Sequence, residues 1–270
     1  MMSLPITPIN PIMPIMPIIH LDETTSTNNW LRSHQAESDE GIIVVTADYQ
    51  TDGRGQASNH WESERGKNLL FSIRFHPTAI PASQQFLVSM IVSVAVCETL
   101  SNYATDFSIK WPNDIYWKDR KICGILIENR LSGQAILDTI AGIGMNINQA
   151  AFHSDAPNPV SLRQILGTDT ERQEVLDLFL TSFKKHFQRV ESGNTTSVKT
   201  AYKSALYRRN GYHTYSDRQG CFEAKLVDIA DNGTLLLEDV NGKQRSYAFK
   251  EVEFMRKGVK REKGRKTYIL

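Results

Sequence analysis

Residues 107–148 read FSIKWPNDIYWKDRKICGILIENRLSGQAILDTIAGIGMNIN, and this stretch decides the fold. Its β-branched and aromatic residues fall into four runs separated by polar residues, which predicts four strands in succession. We place the strands at 107–111, 114–117, 121–129 and 134–148, with turns at Asp119-Arg120 and at Leu131-Ser132-Gly133. Because strands joined by tight turns pair antiparallel, the stretch predicts a mostly antiparallel sheet.

The segments on either side of this stretch add two strands and four helices. The first helix is short, runs to about Ser33, and is expected to be capped by the hydroxyl groups within Thr24-Thr25-Ser26-Thr27-Asn28. Residues 41–47 and 67–75 are rich in β-branched and other apolar residues, which predicts strands. Apolar residues recur at helical spacing through 84–103, 171–190 and 198–207, which predicts helices. Four strands in succession after one long helix indicate an α+β domain.

The chain divides into four segments by composition. Prolines recur at every third position from Pro5 to Pro17, so we expect residues 1–17 to be a disordered leader. Residues 18–208 form the predicted α+β domain. Short strands and turns then predict a small SH3-like β-barrel at 209–255. The tail, 256–270, carries seven Lys or Arg residues against one acid, and we interpret it as a solvated extension.

Composition excludes several classes of protein. The 270 residues are 40% hydrophobic and 23% charged, enough for a sizeable core. The formal net charge of +1 creates no field that would attract nucleic acid, and no apolar run reaches the length of a membrane span. The three cysteines lack disulfide or zinc spacing, which is typical of reduced thiols in the cytoplasm.

A glycine-bearing loop follows the strand that ends near Ala47. It reads Gln50-Thr51-Asp52-Gly53-Arg54-Gly55-Gln56. Glycines let backbone amides approach an anion closely, and a guanidinium binds phosphate or carboxylate with two parallel hydrogen bonds. Taken alone, this loop is equally typical of a solvated turn.

Two further motifs supply a second cation and polar groups. In Lys110-Trp111-Pro112-Asn113-Asp114, the proline interrupts a strand and turns the last two side chains outward, although a purely structural turn also fits. In Lys121-Ile122-Cys123-Gly124, alternation places Lys121 and Gly124 on opposite faces unless a bulge intervenes.

The last motif is Gly142-Ile143-Gly144-Met145-Asn146-Ile147-Asn148. Glycines inside a strand mark the close approach of a ligand or of another backbone. The spacing and the missing helix exclude a dinucleotide-binding fingerprint.

In this order, and with Ser26-Thr27-Asn28 and Trp61, these motifs resemble biotin protein ligases over about residues 18–150. The resemblance implies a catalytic domain like that of class II aminoacyl-tRNA synthetases and biotin ligases, without an N-terminal DNA-binding domain. It also implies a reaction in two steps. Biotin and ATP, carried with Mg²⁺, give biotinyl-5′-AMP, and biotin then passes to a lysine of a biotin carboxyl carrier protein.

The resemblance also implies roles for single residues. Arg54 and Lys121 would offset the repulsion between two anions, and Asp114 would accept the proton of the carrier lysine. The biotin-binding residues would be Ser26, Thr27, Asn28, Gln50, Gly53, Arg54, Lys121, Gly124 and Gly142. The ATP-binding residues would be Arg54, Trp61, Asn113, Lys121 and Asn146. We expect no metal site built by the protein itself.

This chain departs from the family pattern in one loop. After Gly-Arg-Gly the family often has further arginines, whereas this chain has Gln56 to His60. We expect the loop to become ordered over ligand. Alternative interpretations are a lipoate ligase, which would share the adenylate chemistry, or a non-catalytic module that binds carrier proteins. We expect a cytoplasmic monomer or homodimer with no nucleic-acid or membrane partner.

Overall fold

The computed structural model describes residues 18–34, 41–55, 60–154 and 158–255, and the backbone alone of 259–262 and 265–268. The expected leader, 1–17, lies outside the described residues, as does the middle of the ligand loop, 56–59.

A seven-stranded sheet forms the centre of the molecule. Its strands are β1 (Ile18–Leu21), β2 (Ile43–Ala47), β3 (Leu69–Phe75), β4 (Phe107–Lys110), β5 (Asp114–Trp117), β6 (Arg120–Ser132) and β7 (Ala135–Met145). They lie in the order β1-β2-β3-β7-β6-β5-β4, and all neighbours pair antiparallel except β1 and β2. The predicted α+β class and mostly antiparallel sheet are therefore confirmed.

The described residues include five α-helices beside the sheet: α1 (Thr27–Ser33), α2 (Phe86–Leu100), α3 (Leu162–Leu166), α4 (Arg172–Glu191) and α5 (Thr196–Ser204). On one face, Phe71 and Phe75 of β3 meet Phe179 and Phe183 of α4 with ring centroids 5.0 Å apart in each pair. Helix α2 packs against α4 and is buried almost all round, because its sequence is apolar on every side. This face holds the main core.

Helix α1 covers the opposite face of the sheet. Its Leu31 packs with Val45 and Ile140 in a second, small apolar cluster. We expected hydroxyl groups to cap this helix, but that prediction is wrong, because the N-cap residue Ser26 makes no side-chain cap hydrogen bond. Thr27 and Asn28 are instead buried and face the sheet. The strand formed by Ile18–Leu21 was not predicted.

Both predicted hairpin turns lie one or two residues from their observed positions. The chain turns at Lys118-Asp119, where Lys118 has a φ of 51°, and at Gly133-Gln134, where Gly133 has a φ of 58°. Left-handed backbone of this kind matches the twist of the strands that a short hairpin joins.

The C-terminal part is a five-stranded antiparallel sheet of β8 (His213–Asp217), β9 (Gly220–Ile229), β10 (Leu235–Asp239), β11 (Gln244–Tyr247) and β12 (Glu253–Phe254). Its order is β11-β10-β9-β8-β12, and within the described residues no strand pairing joins β11 to β12. The all-β prediction is confirmed as a sheet. In the tail, β13 (Val259–Glu262) and β14 (Arg265–Tyr268) pair as a hairpin, which the sequence did not suggest.

The C-terminal sheet docks on the break between β4 and β5. Trp111 Nε1 donates to the carbonyl of Gly233 at 2.9 Å, and Tyr202 Oη donates to the carbonyl of Pro112 at 2.7 Å. A Cβ at Gly233 would meet Phe86 at 2.5 Å, so only glycine allows this approach. Trp111 is thus buried where the C-terminal sheet meets the break between β4 and β5.

Among the described residues, each helix is too short or too polar to traverse a bilayer.

Candidate active site

A cavity of about 670 Å³ opens between the large sheet, α1 and the C-terminal sheet. It brings together most residues that the motifs singled out. Its wall includes Ser26, Thr27, Asn28, Gln50, Arg54, Trp61, Asn113, Asp114, Lys121, Gly124 and Gly142. Gly53 and Asn146 do not belong to the wall. Motifs that lie up to 118 residues apart in the sequence therefore share one cavity.

One end of the cavity is a buried network of uncharged polar groups, which we call the buried end: Thr27, Asn28, Gln50 and Ser72. The backbone N–H of Thr27 donates to Gln50 Oε1 at 2.8 Å. Thr27 Oγ1 lies 2.6 Å from Ser72 Oγ, and Ser72 Oγ donates to Asn28 Oδ1 at 2.6 Å. Buried polar groups of this kind need such mutual bonds, since each would otherwise lack the partner that water supplies.

Asn28 occupies the space that the missing side chain of Gly142 leaves. A Cβ at Gly142 would lie 2.3 Å from Asn28 Oδ1. On its other side, Asn28 Nδ2 donates to Glu128 Oε2 at 2.8 Å. The resemblance places Gly142 among the biotin-binding residues, and in the structure its immediate neighbour is this carboxamide.

The other end of the cavity is charged, and we call it the charged end: Arg54, Asp114 and Lys121, with Trp61 beside them. Lys121 Nζ lies 2.8 Å from Asp114 Oδ1. Burial lowers the pKa of Lys121, but the ion pair and hydrogen bond with Asp114 outweigh burial, so the pKa lies above its ordinary value. Lys121 therefore stays a cation throughout the physiological range.

A β-bulge sets the direction of Lys121. Strand β6 pairs Cys123 with Ile115 and Lys121 with Tyr116, so Ile122 is the extra residue. The bulge interrupts alternation, and both Lys121 and Gly124 face the ring of Trp61. Simple alternation along this strand, which would have separated them, does not hold.

The ring of Trp61 lies on two glycines that face each other across β6 and β7. Gly124 pairs with Gly144, and a Cβ on either would meet the indole at 2.8 Å or 2.6 Å. Trp61 Nε1 is buried and has no hydrogen-bond partner among the described residues. Gly144 was quoted in a motif but not predicted as a site residue, and the signal that could have found it is its register opposite Gly124.

Arg54 lies at the mouth of the charged end. Its side chain is 49% exposed, and Nε lies 3.3 Å from Asp52 Oδ2. After Gly55, the described part of the loop resumes at His60, which pairs with Arg54 as an isolated β-bridge. Gly53 supports the loop from behind, since its carbonyl accepts from the N–H of Trp61 at 2.9 Å.

Hydrogen bonds to the residue after Trp61 anchor the end of this loop. The Glu62 carboxylate accepts the N–H groups of His153 and Ser154 at 2.8 and 2.7 Å. Burial raises the pKa of Glu62, but the hydrogen bonds from Ser154 and His153 outweigh burial and lower the pKa below its ordinary value. Gln149, fully buried, accepts from the N–H of Glu64 at 3.0 Å. These hydrogen bonds fix the segment that follows Trp61, and so they help to hold the indole against Gly124 and Gly144.

The two remaining predicted polar residues occupy different positions. Asn113 is buried in the cavity wall. Asn146 follows the last residue of β7, where its Nδ2 donates to the carbonyl of Val160 at 3.1 Å. Its Oδ1 is buried without a partner among the described residues.

Potential metal ligands converge at one place in the described ranges. His20, Asp22 and Asp48 bring ligand atoms within 4.8 Å of one another, but none of them belongs to the cavity wall. Asp48 also lies 2.9 Å from Arg172 Nη2. Because Asp114 is paired with Lys121, the described cavity residues form no carboxylate cage for a divalent ion.

Comparison with known proteins identifies the family. A sequence model of the biotin/lipoate A/B protein ligase family matches residues 18–146. The bifunctional ligase/repressor BirA of Bacillus subtilis is 31% identical over 234 residues, which cover 84% of this chain and 70% of that protein. The chain belongs to this family. The predicted resemblance, and with it the prediction that the chain is a ligase enzyme, is confirmed.

Two further relatives are also biotin ligases. The biotin–[acetyl-CoA-carboxylase] ligase of Paracoccus denitrificans is 28% identical over 220 residues, covering 76% of this chain and 87% of that one. The structure of biotin protein ligase from Aquifex aeolicus with biotin and ATP has a TM-score of 0.73 at 26% identity. It covers 88% of this chain and 98% of that chain.

Sequence reasoning missed two residues of the polar network, Ser72 and Glu128. Ser72 is a fully buried hydroxyl in a strand of otherwise apolar residues and one arginine. A single hydroxyl in such a strand is the signal that could have marked it, because a buried donor requires a partner. Glu128 lies four residues after Gly124 on the same strand, but its partner Asn28 lies 100 residues away in the sequence.

Proposed function

We propose that this chain is an ATP-dependent biotin protein ligase. It activates biotin to biotinyl-5′-AMP with release of pyrophosphate, and then transfers biotin to a lysine of a biotin carboxyl carrier protein. The observation that carries the proposal is the composition of the cavity. One wall holds uncharged, buried hydrogen-bonding groups, and the same cavity ends in Arg54 and Lys121.

Arg54 and Lys121 reduce the electrostatic repulsion that opposes the first step. The biotin carboxylate must approach the α-phosphate of ATP, and the two anions repel each other. Fixed positive charge in a cavity that restricts water stabilises the additional charge that develops on the phosphorus oxygens. Lys121 supplies such a charge inside the cavity, and Arg54 supplies a bidentate donor at its mouth.

The buried end suits the uncharged head of biotin. A cyclic urea has two N–H donors and one carbonyl acceptor, so it needs both kinds of partner in a fixed geometry. Thr27, Asn28 and Gln50 offer them, with Ser26 beside them on the wall. Gly53 allows the backbone of Trp61 to approach the loop, Gly124 leaves space for the indole ring of Trp61, and Gly142 leaves space for the carboxamide of Asn28.

The nucleotide occupies the charged end in this proposal. Trp61 offers an aromatic face for the base, and Asn113 offers an amide toward the phosphates. Asn146 remains the nucleotide contact that the resemblance implies, although it does not line the cavity, and its buried Oδ1 has no hydrogen-bond partner among the described residues. Magnesium arrives with ATP as part of the substrate, since the wall lacks a carboxylate cage among the described residues.

Asp114 connects the two steps. In the first step its carboxylate holds the Lys121 ammonium at 2.8 Å and fixes the direction of that charge. In the second step it accepts a proton from the incoming carrier lysine, which must be neutral in order to attack the adenylate. The lysine nitrogen forms an amide with the biotin carbonyl, and AMP leaves with the bonding electrons of the acyl–phosphate bond.

The finer organisation of the chain is part of the proposal. We propose a catalytic domain at 18–208, an SH3-like domain at 209–255 and a cytoplasmic location, which three unpaired cysteines support. The repressor function named for the Bacillus relative is not transferred, because the proposal rests on the cavity alone. The carrier protein and the choice between monomer and homodimer are not assigned.

Exchange of labelled pyrophosphate into ATP tests the proposal. Biotin should support exchange, and lipoate at the same concentration should not. Lipoate-dependent exchange would favour the lipoate ligase alternative. An absence of exchange with either acid, by a folded chain that still binds carrier protein, would favour the non-catalytic alternative.

A further inference from the structure

We propose that Glu128 is a positioning residue that sets the hydrogen-bond polarity of the buried end, and through it the preference for a ligand that donates N–H groups. Glu128 does not belong to the cavity wall, and it acts through Asn28 and Ser72. The inference rests on the proposed biotin ligase function and names a determinant of specificity for it.

A continuous chain of short hydrogen bonds joins Glu128 to the cavity. Arg32 Nη2 donates to Glu128 Oε1 at 2.5 Å, and Asn28 Nδ2 donates to Glu128 Oε2 at 2.8 Å. Asn28 Oδ1 lies 2.6 Å from Ser72 Oγ, which lies 2.6 Å from Thr27 Oγ1. Thr27 belongs to the cavity wall, so this series of hydrogen bonds runs from a surface ion pair to the cavity.

The Glu128 carboxylate fixes the orientation of the Asn28 side-chain amide. A carboxylate paired with a guanidinium accepts hydrogen bonds and donates none. Asn28 must therefore point its NH₂ group toward Glu128 and its Oδ1 toward Ser72. Since an amide oxygen only accepts, Ser72 must donate its single hydrogen to Asn28.

The hydrogen of Thr27 Oγ1 has two acceptors within reach, Ser72 Oγ at 2.6 Å and Gln50 Oε1 at 3.1 Å. Because Ser72 already donates its own hydrogen to Asn28, the shorter contact needs the hydrogen of Thr27, and Ser72 Oγ accepts it. Thr27 Oγ1 then has no hydrogen left to donate, and its oxygen offers a lone pair to a ligand in the cavity. Gln50 Oε1 is an acceptor too, and it already takes the N–H of Thr27 at 2.8 Å. The wall at Thr27 thus accepts, which matches the N–H donors of a cyclic urea.

Glutamine at position 128 would reverse this order without changing its shape. Arg32 would bind the amide oxygen, and the NH₂ group would face Asn28. Asn28 would turn over, Ser72 would accept from Asn28 and donate to Thr27, and Thr27 would point its hydrogen toward Gln50 or the ligand. The contact of Asn28 Nδ2 with the Leu126 carbonyl at 3.5 Å is lost, and the wall at Thr27 loses an acceptor, because the Thr27 hydrogen then occupies either Gln50 Oε1 or the side that faces the ligand.

The test is calorimetric binding of biotin and of two cyclic-carbamate analogues, each with oxygen in place of one ureido N–H. The wild-type chain should prefer biotin over at least one analogue by about tenfold, since that analogue leaves an acceptor without a donor. Glu128→Gln should weaken biotin binding and lose this preference. ATP binding, which does not involve the chain of bonds, should stay unchanged.

Asp138→Asn is the matched control. Asp138 pairs with Arg130 on the same β6–β7 hairpin, but it is not bonded to Asn28. This variant should keep the preference for biotin. Ser72→Ala serves as a second variant, because it interrupts the chain without touching the ion pair and should lose the same preference.

Three outcomes decide the inference. Loss of preference in Glu128→Gln and Ser72→Ala, with retention in Asp138→Asn, supports it. Wild-type preference in Glu128→Gln, or equal loss in Asp138→Asn, overturns it while leaving the proposed function intact. Failure of the wild-type chain to bind biotin defeats the proposed function and this inference together.

Discussion

The two ends of the cavity differ in how their polar groups are satisfied. At the buried end, Thr27, Asn28 and Ser72 bond to one another and are almost fully enclosed. At the charged end, Arg54 is half exposed, and Lys121 is 32% exposed beside a single carboxylate. The buried end is therefore organised before a ligand arrives, whereas the charged end keeps donors free for an anion.

Under the proposed function, this difference assigns recognition to the buried end and chemistry to the charged end. A preorganised network discriminates between ligands, because a mismatched group leaves a buried partner unsatisfied. Cations with hydrogen-bond donors still unoccupied accelerate a reaction when they interact more strongly with the transition state than with the separate substrates. Changes at the buried end should alter biotin affinity, and changes at the charged end should alter the rate of adenylate formation.

Removal of the inner cation should have the largest effect. Lys121→Ala deletes a charge from the cavity and leaves Asp114 without its partner at 2.8 Å, as a negative charge facing the phosphates. We expect biotin-dependent pyrophosphate exchange to fall by about a hundredfold, or ~2.7 kcal/mol of transition-state stabilisation. Lys118→Ala is the control, because Lys118 lies in the adjacent turn and does not belong to the cavity wall. Equal losses in both variants would remove the assigned role.

Two glycines of β7 allow the ends to be perturbed separately. Gly142→Ala would displace Asn28, and Gly144→Ala would displace Trp61, since the new Cβ atoms would lie at 2.3 Å and 2.6 Å from these side chains. We expect about a thirtyfold rise in the KM for biotin from the first change. The second should raise the KM for ATP instead. The same shift in both constants from both variants would contradict the division between the ends.

The outer cation should matter less. Arg54→Ala removes a guanidinium that is 49% exposed and already near Asp52. We expect adenylate formation to slow by about tenfold, or ~1.4 kcal/mol, while the affinity for biotin stays within twofold. Steady-state exchange kinetics measure both quantities. A variant that lost biotin affinity but kept its rate would place Arg54 at the wrong end.

Most strands and both ends of the cavity could be predicted from the sequence because their signals are local. Runs of β-branched residues marked the strands, and glycines with nearby charges marked the loops. The sequence did not predict that Lys121 and Gly124 face the same side of the strand, because the bulge at Ile122 depends on pairing with β5. Ser72 and Glu128 were not predicted, for the same reason. Their importance comes from partners 44 and 100 residues away, which a single sequence does not bring together.

The smallest predicted effect is on the stability of the fold, through Glu98 on α2. Burial raises the pKa of Glu98 on α2, but hydrogen bonds from His186, Lys185 and Ser182 of α4 outweigh burial and lower it to about 2. A lowered folded pKa adds stability above the unfolded value of about 4.5, and that stability is lost as the pH falls toward 2.

Glu98→Gln should therefore lower the free energy of unfolding by about 1 kcal/mol at pH 7, a value reduced for solvent screening of this part-exposed group. The difference from wild type should vanish near pH 2. Urea unfolding at both pH values measures it. A difference that is independent of pH would show that Glu98 contributes through packing rather than charge.

The central claim is that the two ends bind the two halves of one intermediate in a single cavity. Competition binding with a non-hydrolysable phosphodiester analogue of biotinyl-5′-adenylate tests it most directly. The account predicts that one molecule of the analogue displaces both biotin and ATP, and that it binds more tightly than either. Displacement of only one of the two substrates, with the other still bound, would contradict the account.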